Sequence, residues 1–191
     1  SEAQENVALQ VAEQMADYLI SGAVTNALNM PSITAEEAPR LKPFAALAEK
    51  LGMFAGQIVD DDLEAVEIEY EGHVAAMNVK PLTAAALAGL LRPMLAEVNM
   101  VSAPAVLKER GTSMTESKRE ISPTYDSVIR IKVKTGGSWR TVAGAVIAGG
   151  PKIVEVKGMS LEAAFHPLML YVNNSDKPGF IGALGTMLGE A

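Results

Sequence analysis

The apolar positions of this chain repeat with one period up to about residue 59 and with another from Glu64 onward. In the first stretch Val7, Val11, Met15, Tyr18 and Leu19 fall on one stripe at helical spacing, while Leu9, Ala12, Ala16 and Ile20 add a second face. A helix ending near Ser21-Gly22 and apolar on nearly two sides expects neighbours to cover it. Ser1-Glu2-Ala3-Gln4 has the form of a capping box, and so does Thr34-Ala35-Glu36-Glu37. Pro39 and Pro43 predict that the second helix starts in steps and becomes regular from about Pro43 through Val59. Its stripe is Phe44, Leu47, Leu51, Phe54 and Ile58; Gly52 and Gly56 predict close approach to another backbone, that of the first helix or of another subunit.

From Glu64 the pattern alternates, with Val66, Ile68 and Tyr70 on one face and Glu67, Glu69 and Glu71 on the other. A helix over 82–95 with Thr83 as its cap follows, then a helix over 102–110 stopped at Gly111. Four strands are predicted at 114–120, 127–135, 138–147 and 152–157, the middle two joined by a Gly136-Gly137 hairpin turn. Gly149-Gly150-Pro151 and Gly158-Met159-Ser160 read as the last turns. The order β-α-α-β-β-β-β describes an antiparallel sheet with helices on one face. Leu168, Leu170 and Val172 then alternate as in one more strand, 173–179 is a polar loop, and Pro178 opens a helix through Ile181, Leu184 and Leu188. The expected class is α+β, divided into helical residues 1–62, a sheet domain over 63–162 and a β-α unit over 163–191.

Composition narrows the chemistry. Apolar residues make up 49% of the chain and charged residues 20%, a globular balance. With no cysteine and two histidines, thiolate chemistry is excluded and a His-based metal site has little material. A net charge of -7 argues against a general nucleic-acid binder, and no apolar run is long enough to span a bilayer, so no membrane partner and a cytoplasmic location are expected. Asp60-Asp61-Asp62 reads as a solvated connector at the domain boundary rather than a metal site, because neighbouring side chains diverge.

Basic residues gather on the sheet module: Lys108, Arg110, Lys118, Arg119, Arg130, Lys132, Lys134, Arg140 and Lys152. Such groups suit an anion, a phosphate or a carboxylate, through charge-assisted hydrogen bonds. Strict alternation explains Arg130, Lys132 and Lys134 as the solvated face of a strand; Lys152, after Gly149-Gly150-Pro151, and Arg110, at a helix end, are not explained that way, and with Lys118 they are the anion candidates. His73 and His166 lack a partner at ligand spacing and read as structural or surface residues; Trp139 reads as sheet packing. The helix start after the 173–179 loop offers free N–H groups to a ligand carboxylate. No dinucleotide-binding glycine motif, Walker motif or nucleophile elbow occurs, so no cofactor, metal or catalytic residue is expected in this chain.

Two resemblances add to this. The segment Asp176-Lys-Pro-Gly179 with Ile181-Gly182 and Leu184-Gly185 resembles the opening of an ACT domain, the βαββαβ module that senses amino acids in metabolic enzymes. Residues 1–8, Asn26-Ala-Leu-Asn-Met-Pro31, Leu47-Ala-Glu-Lys-Leu-Gly52, Ala103-Pro104 and Glu109-Arg-Gly111 are similar, in that order, to the D-3-phosphoglycerate dehydrogenase family from just after its catalytic histidine. This resemblance implies a parent enzyme that oxidises 3-phosphoglycerate with NAD in serine synthesis. It also implies an intervening, allosteric substrate-binding domain, here 63–162, and an ACT start inhibited by serine. This chain is then its regulatory, homo-oligomer-forming part, inactive alone. The resemblance assigns Asn174, Asp176 and Gly179 to a serine site completed by a second ACT module. Lys152 matches an anion-binding position, and Met159 and Ala164 stand where fuller anion pockets carry arginine. Two other readings remain open: a stand-alone amino-acid or phosphate sensor, and the regulatory subunit of an iron–sulfur serine dehydratase, whose cluster would need cysteines from another chain.

Overall fold

The computed structural model describes residues 2–59, 62–175 and 177–190. Its centre is a six-stranded sheet in the order β2-β1-β3-β4-β5-β6. The strands are β1 (Leu63–Gly72), β2 (Ser113–Arg119), β3 (Ser127–Thr135), β4 (Ser138–Ile147), β5 (Gly150–Val156) and β6 (Met159–Ala164). All neighbours are antiparallel except β1 and β2, which run parallel. That one parallel pair needs a long crossover, and α3 (Lys80–Leu91) and α4 (Ala103–Glu109) supply it. The mixed α+β class and the helices on one face are as the sequence predicts.

Three local expectations hold in detail. Thr34 and Glu37 form the reciprocal capping box: the Thr34 N–H donates to Glu37 Oε2 at 3.0 Å and the Glu37 N–H to Thr34 Oγ1 at 3.2 Å. Gly136 and Gly137 take φ of 54° and 73° and close the β3–β4 hairpin. Gly111, at φ 73°, ends α4.

Others are corrected. The second helix, α2 (Glu37–Gln57), is regular from its capping box onward, with Pro43 inside it. Burial of Leu41, Leu47, Ala48 and Leu51 in the main core outweighs the missing proline N–H. Thr83 lies within α3 rather than capping it, because the helix starts earlier, at Lys80. The backbone met by Gly52 and Gly56 is that of α3: a Cβ on either would collide with the carbonyl of Ala86 or Leu90, and Gly89 returns the same fit against Glu49. The turn after β4 is Ala148-Gly149, and the turn after β5 is Lys157-Gly158, each with both residues at positive φ. Gly150 and Pro151 therefore lie in β5, while Met159 and Ser160 open β6, a strand that was not expected.

The core lies between the sheet and the α2–α3 pair. Val66, Ile68 and Tyr70 of β1, Ile129, Ile131 and Val133 of β3, Val142 of β4 and Ile153 of β5 meet Leu47, Leu51, Leu82, Leu87 and Leu90. Gly144 on β4 makes room for Leu47 and Leu51, whose side chains occupy the space of its missing Cβ. This core spans the boundary expected near Asp62.

The two ends are different. Helix α1 (Glu2–Ser21) and helix α5 (Phe180–Gly189) contain no buried residue. Leu19, Ile20, Ile181 and Met187 are each more than two-thirds exposed. The segment Leu168 to Val172, expected as a strand, pairs with no strand, because β6 already forms the sheet edge and no second sheet is offered to it. It lies instead along α2, where the rings of Phe54 and Tyr171 meet edge to face at 6.1 Å. Among the described residues no helix is long and apolar enough to cross a membrane.

Candidate functional site

The predicted effector residues sit at the start of α5. Gly179 precedes the helix with φ 91°, a conformation that favours glycine, and no side chain caps the helix there. The Asn174 amide donates to the Ser175 carbonyl at 3.0 Å and is exposed. Asp176 lies outside the described residues. A Cβ on Gly179 would meet nothing within 4 Å, and the first N–H of the helix, that of Phe180, donates to the Lys177 carbonyl at 3.3 Å. Asn174 and Gly179 share one loop but have no opposing wall among the described residues.

The three anion candidates are spread apart. Arg110 follows α4, Lys118 lies near the end of edge strand β2, and Lys152 is on β5. Three strands separate β2 from β5, about 19 Å at the usual inter-strand spacing. Lys118 also shares a strand face with Glu116, which reaches Thr83 on the helix side, whereas Lys152 is opposite Ala145 on the other side. Register explains why position 164 bears on Lys152: Ala164 is its direct cross-strand partner, while Met159 pairs with Val156. An arginine at 164 would lie beside Lys152; alanine leaves that lysine without a basic neighbour on β6.

Arg130, Lys132 and Lys134, expected as a solvated face, belong to an ion-pair lattice on the sheet face away from the helices. Register places Glu69 opposite Arg130, Glu67 opposite Lys132 and Ala65 opposite Lys134. Arg130 reaches Glu155 on β5 at 2.6 Å, Glu71 at 3.2 Å and Glu69 at 3.5 Å. It can reach Glu155 because its neighbour on β4, between the two strands, is only Ala143. Burial works against the Arg130 charge, yet its hydrogen bonds and attraction to Glu155 and Glu71 raise its pKa above the ordinary guanidinium value. Lys132 stands 3.6 Å from Glu67, and Lys134 is 3.2 Å from Glu64. Glu64 also accepts the Gly137 N–H at 2.7 Å; that bond first, and Lys134 second, hold its carboxyl below the usual range. Ile121 and Pro123, between β2 and β3, border a hollow over Glu69, Glu71 and Arg130. Glu69 and Glu71 are 5% exposed, because strand pairing and this loop close over them. The sequence signal for the lattice was the two facing alternations, Glu67/Glu69/Glu71 against Arg130/Lys132/Lys134. Only the register shows that they interlock.

On the helix side the Tyr70 hydroxyl lies 2.8 Å from Thr83 Oγ1, and that hydroxyl donates to Glu116 Oε2 at 2.6 Å. The chain Tyr70 to Thr83 to Glu116 satisfies the one phenol in the main core, and burial pushes the Tyr70 pKa far up. His73 Nε2 is 3.4 Å from an Arg40 nitrogen, His166 is exposed beside α2, and Trp139 is 47% exposed opposite Lys134. Among the described residues no group of three or more His, Cys, Asp or Glu could hold a metal ion.

Comparison with known proteins finds sequence similarity along nearly the whole chain. Residues 40–157, well over half the chain, match the family model described as the D-3-phosphoglycerate dehydrogenase intervening domain. The chain is 35% identical over 193 residues to the D-3-phosphoglycerate dehydrogenase of Bacillus subtilis, covering 99% of this chain and 36% of that protein. It is 33% identical over 190 residues to the enzyme of the same name from Methanocaldococcus jannaschii, again covering 99% of this chain and 36% of the relative. The Synechocystis relative is 34% identical over 192 residues, covering 99% of this chain and 35% of its own length. The chain thus spans about a third of the length of the curated relatives it matches. With strands β1 to β5 and most of α2 falling inside the matched residues, the chain belongs to the D-3-phosphoglycerate dehydrogenase intervening-domain family.

Proposed function

We propose that this chain is the regulatory and oligomer-forming part of an NAD-dependent D-3-phosphoglycerate dehydrogenase of serine biosynthesis. The observation that carries this is the coverage: relatives of that name match 99% of the chain but only about a third of their own length. On this reading α1 belongs to the end of the catalytic region, the sheet is the allosteric substrate-binding domain, and residues 163–191 open an ACT domain. NAD and the catalytic histidine belong to the rest of the parent enzyme, and hydride transfer needs the cofactor held against the substrate. Serine is received at Asn174, Asp176 and Gly179 once a second ACT module supplies the opposing wall. Lys152 takes part in binding a phosphorylated substrate, with Arg110 and Lys118 too far apart to share one small anion with it. The exposed apolar faces of α1 and α5 support homo-oligomer assembly in the cytoplasm.

The test is an NADH assay with 3-phosphoglycerate across a wide range of protein concentration, together with calorimetry in serine. The expected result is no turnover and no tight serine binding by the chain alone. Turnover would overturn the proposal, and tight saturable serine binding would favour a self-contained sensor.

A further inference from the structure

Strand β2 is an edge of the sheet, and all seven of its residues are exposed. Among the described residues no strand meets its backbone on the side away from β1. Sheet edges are commonly blunted by a proline, a bulge or charge. β2 has no proline, and its register with β1 runs through seven pairs without a shift. The pairing of the other edge strand, β6, is interrupted between Ile153 and Glu155. What β2 carries is charge, at Glu116, Lys118 and Arg119.

The order of those charges is self-complementary. Glu116 and Lys118 stand beside Ile68 and Tyr70 of β1, on the helix side, so β1 offers neither of them an opposite charge. Thr83 occupies one oxygen of Glu116. Lys118 belongs to no ion pair among the described residues, unlike Arg119, which Glu69 holds on the other face. Two copies meeting edge to edge about a two-fold axis run antiparallel with their helices on the same side, so residues directly opposite each other must lie on the same face. With Glu116 on the axis, it faces its own copy; with Lys118 on the axis, that lysine does. With Ser117 on the axis, Glu116 faces Lys118 of the second copy, Lys118 faces Glu116, and Arg119 faces the uncharged Thr115.

We propose that β2 is a homotypic interface: it pairs antiparallel with β2 of a second copy, with Ser117 on the two-fold axis, and makes the two six-stranded sheets continuous. Opposite charges directly across a ladder stabilise it and like charges destabilise it, so the sequence of β2 favours this register and opposes a slide by two residues in either direction. Both segments flanking β2, α4 and β3, lie inside the matched family domain, so the interface belongs to that domain and not to the exposed end helices. The proposal rests on the oligomer-forming reading above and assigns it a surface.

The test uses the whole chain, which has no cysteine, so one introduced cysteine reports one position. On the axis, the two copies of residue 117 have Cα atoms about 4.5–5.5 Å apart, within disulfide reach. The two copies of residue 115 are offset by four residues, about 13 Å along the strand, and are out of reach. Under copper–phenanthroline oxidation Ser117→Cys should give a covalent dimer and Thr115→Cys should not. In sedimentation, Glu116→Lys should weaken self-association by roughly tenfold, since two opposite pairs become like pairs, and Glu116→Lys with Lys118→Glu should restore it. Equal cross-linking at 115 and 117, or a double variant no stronger than Glu116→Lys, would overturn the proposal. Assembly that persists with no cross-link at 117 would overturn the β2 pairing and leave the oligomer-forming reading standing, whereas a monomer at every concentration would overturn both.

Discussion

The two faces of the sheet are built from the same strands and solve burial in opposite ways. Beneath the helices, β1 and β3 present Val66, Ile68, Ile129, Ile131 and Val133, all nearly inaccessible, and α2 and α3 approach so closely that three glycines are needed. On the other face the same strands present Glu67, Glu69, Glu71, Arg130 and Lys132, joined side to side across the ladder. The first face depends on shape, which salt does not screen; the second depends on charge, which salt weakens. A single register sets both, since a slip by one residue would exchange the faces.

The largest expected effect lies at the glycine contact. Gly52→Val should destabilise the fold by about 3–5 kcal/mol, because its Cβ would strike the Ala86 carbonyl and both helices would have to separate. Denaturant unfolding measures this, and the loss should be the same in low and high salt. A change below about 0.5 kcal/mol, the ordinary range for surface positions, would show that the helices are not in that contact.

Next comes the centre of the lattice. Arg130→Met should destabilise by roughly 1–3 kcal/mol, since it leaves Glu69 and Glu71 buried with less compensation. This loss should shrink as sodium chloride is raised, unlike that of Gly52→Val. If both variants respond to salt alike, the contrast between a shape-held and a charge-held face fails.

Much of this architecture was legible in the sequence. The change of period at Glu64, the Gly-Gly hairpin and the Thr34–Glu37 capping box are local signals, and local chemistry decided them. What was not legible depended on distant partners. Pro39 and Pro43 argued for a late helix start, but the core contacts of Leu41 and Leu47 settled it. Leu168, Leu170 and Val172 have a strand's alternation, yet alternation supplies only one side of a ladder and no partner strand lies beside them. Arg130 could be read as solvated because its three carboxylates come from β1 and β5, up to 61 residues away in the chain, from Glu69 to Arg130. The loop over 173–179 and the helix after it were legible from turn residues and from Gly179, which precedes α5 at positive φ.

A smaller effect tests the polar chain from Tyr70 to Glu116 inside the apolar face. Tyr70→Phe removes the hydrogen bond to Thr83 but leaves Thr83 donating to Glu116, so about 1 kcal/mol should be lost. The folded phenol has its pKa raised by burial, so the folded state holds this proton where the unfolded chain releases it. Stability should therefore be unaffected by this group at neutral pH and decline as pH rises above the ordinary tyrosine range, in the wild type but not in Tyr70→Phe. Paired denaturation curves at neutral and alkaline pH check the sign; a parallel decline in both proteins would remove Tyr70 as its source.

The smallest expected effect is at the margin of the charged face, where Glu64 joins the Gly137 N–H and Lys134. Its carboxyl is held below the usual range in the folded state, so the stabilisation is present above the unfolded-state pKa and is lost as pH falls through the folded one. Glu64→Gln keeps an acceptor for Gly137 but has no proton to take up. The stability difference between wild type and Glu64→Gln should be constant at neutral pH and narrow steadily through the acid range as the wild type loses its ion pair. Denaturation curves across that range decide it. A difference that stays constant in acid would assign the role of Glu64 to the hairpin hydrogen bond alone and end the charge-held region at Lys132.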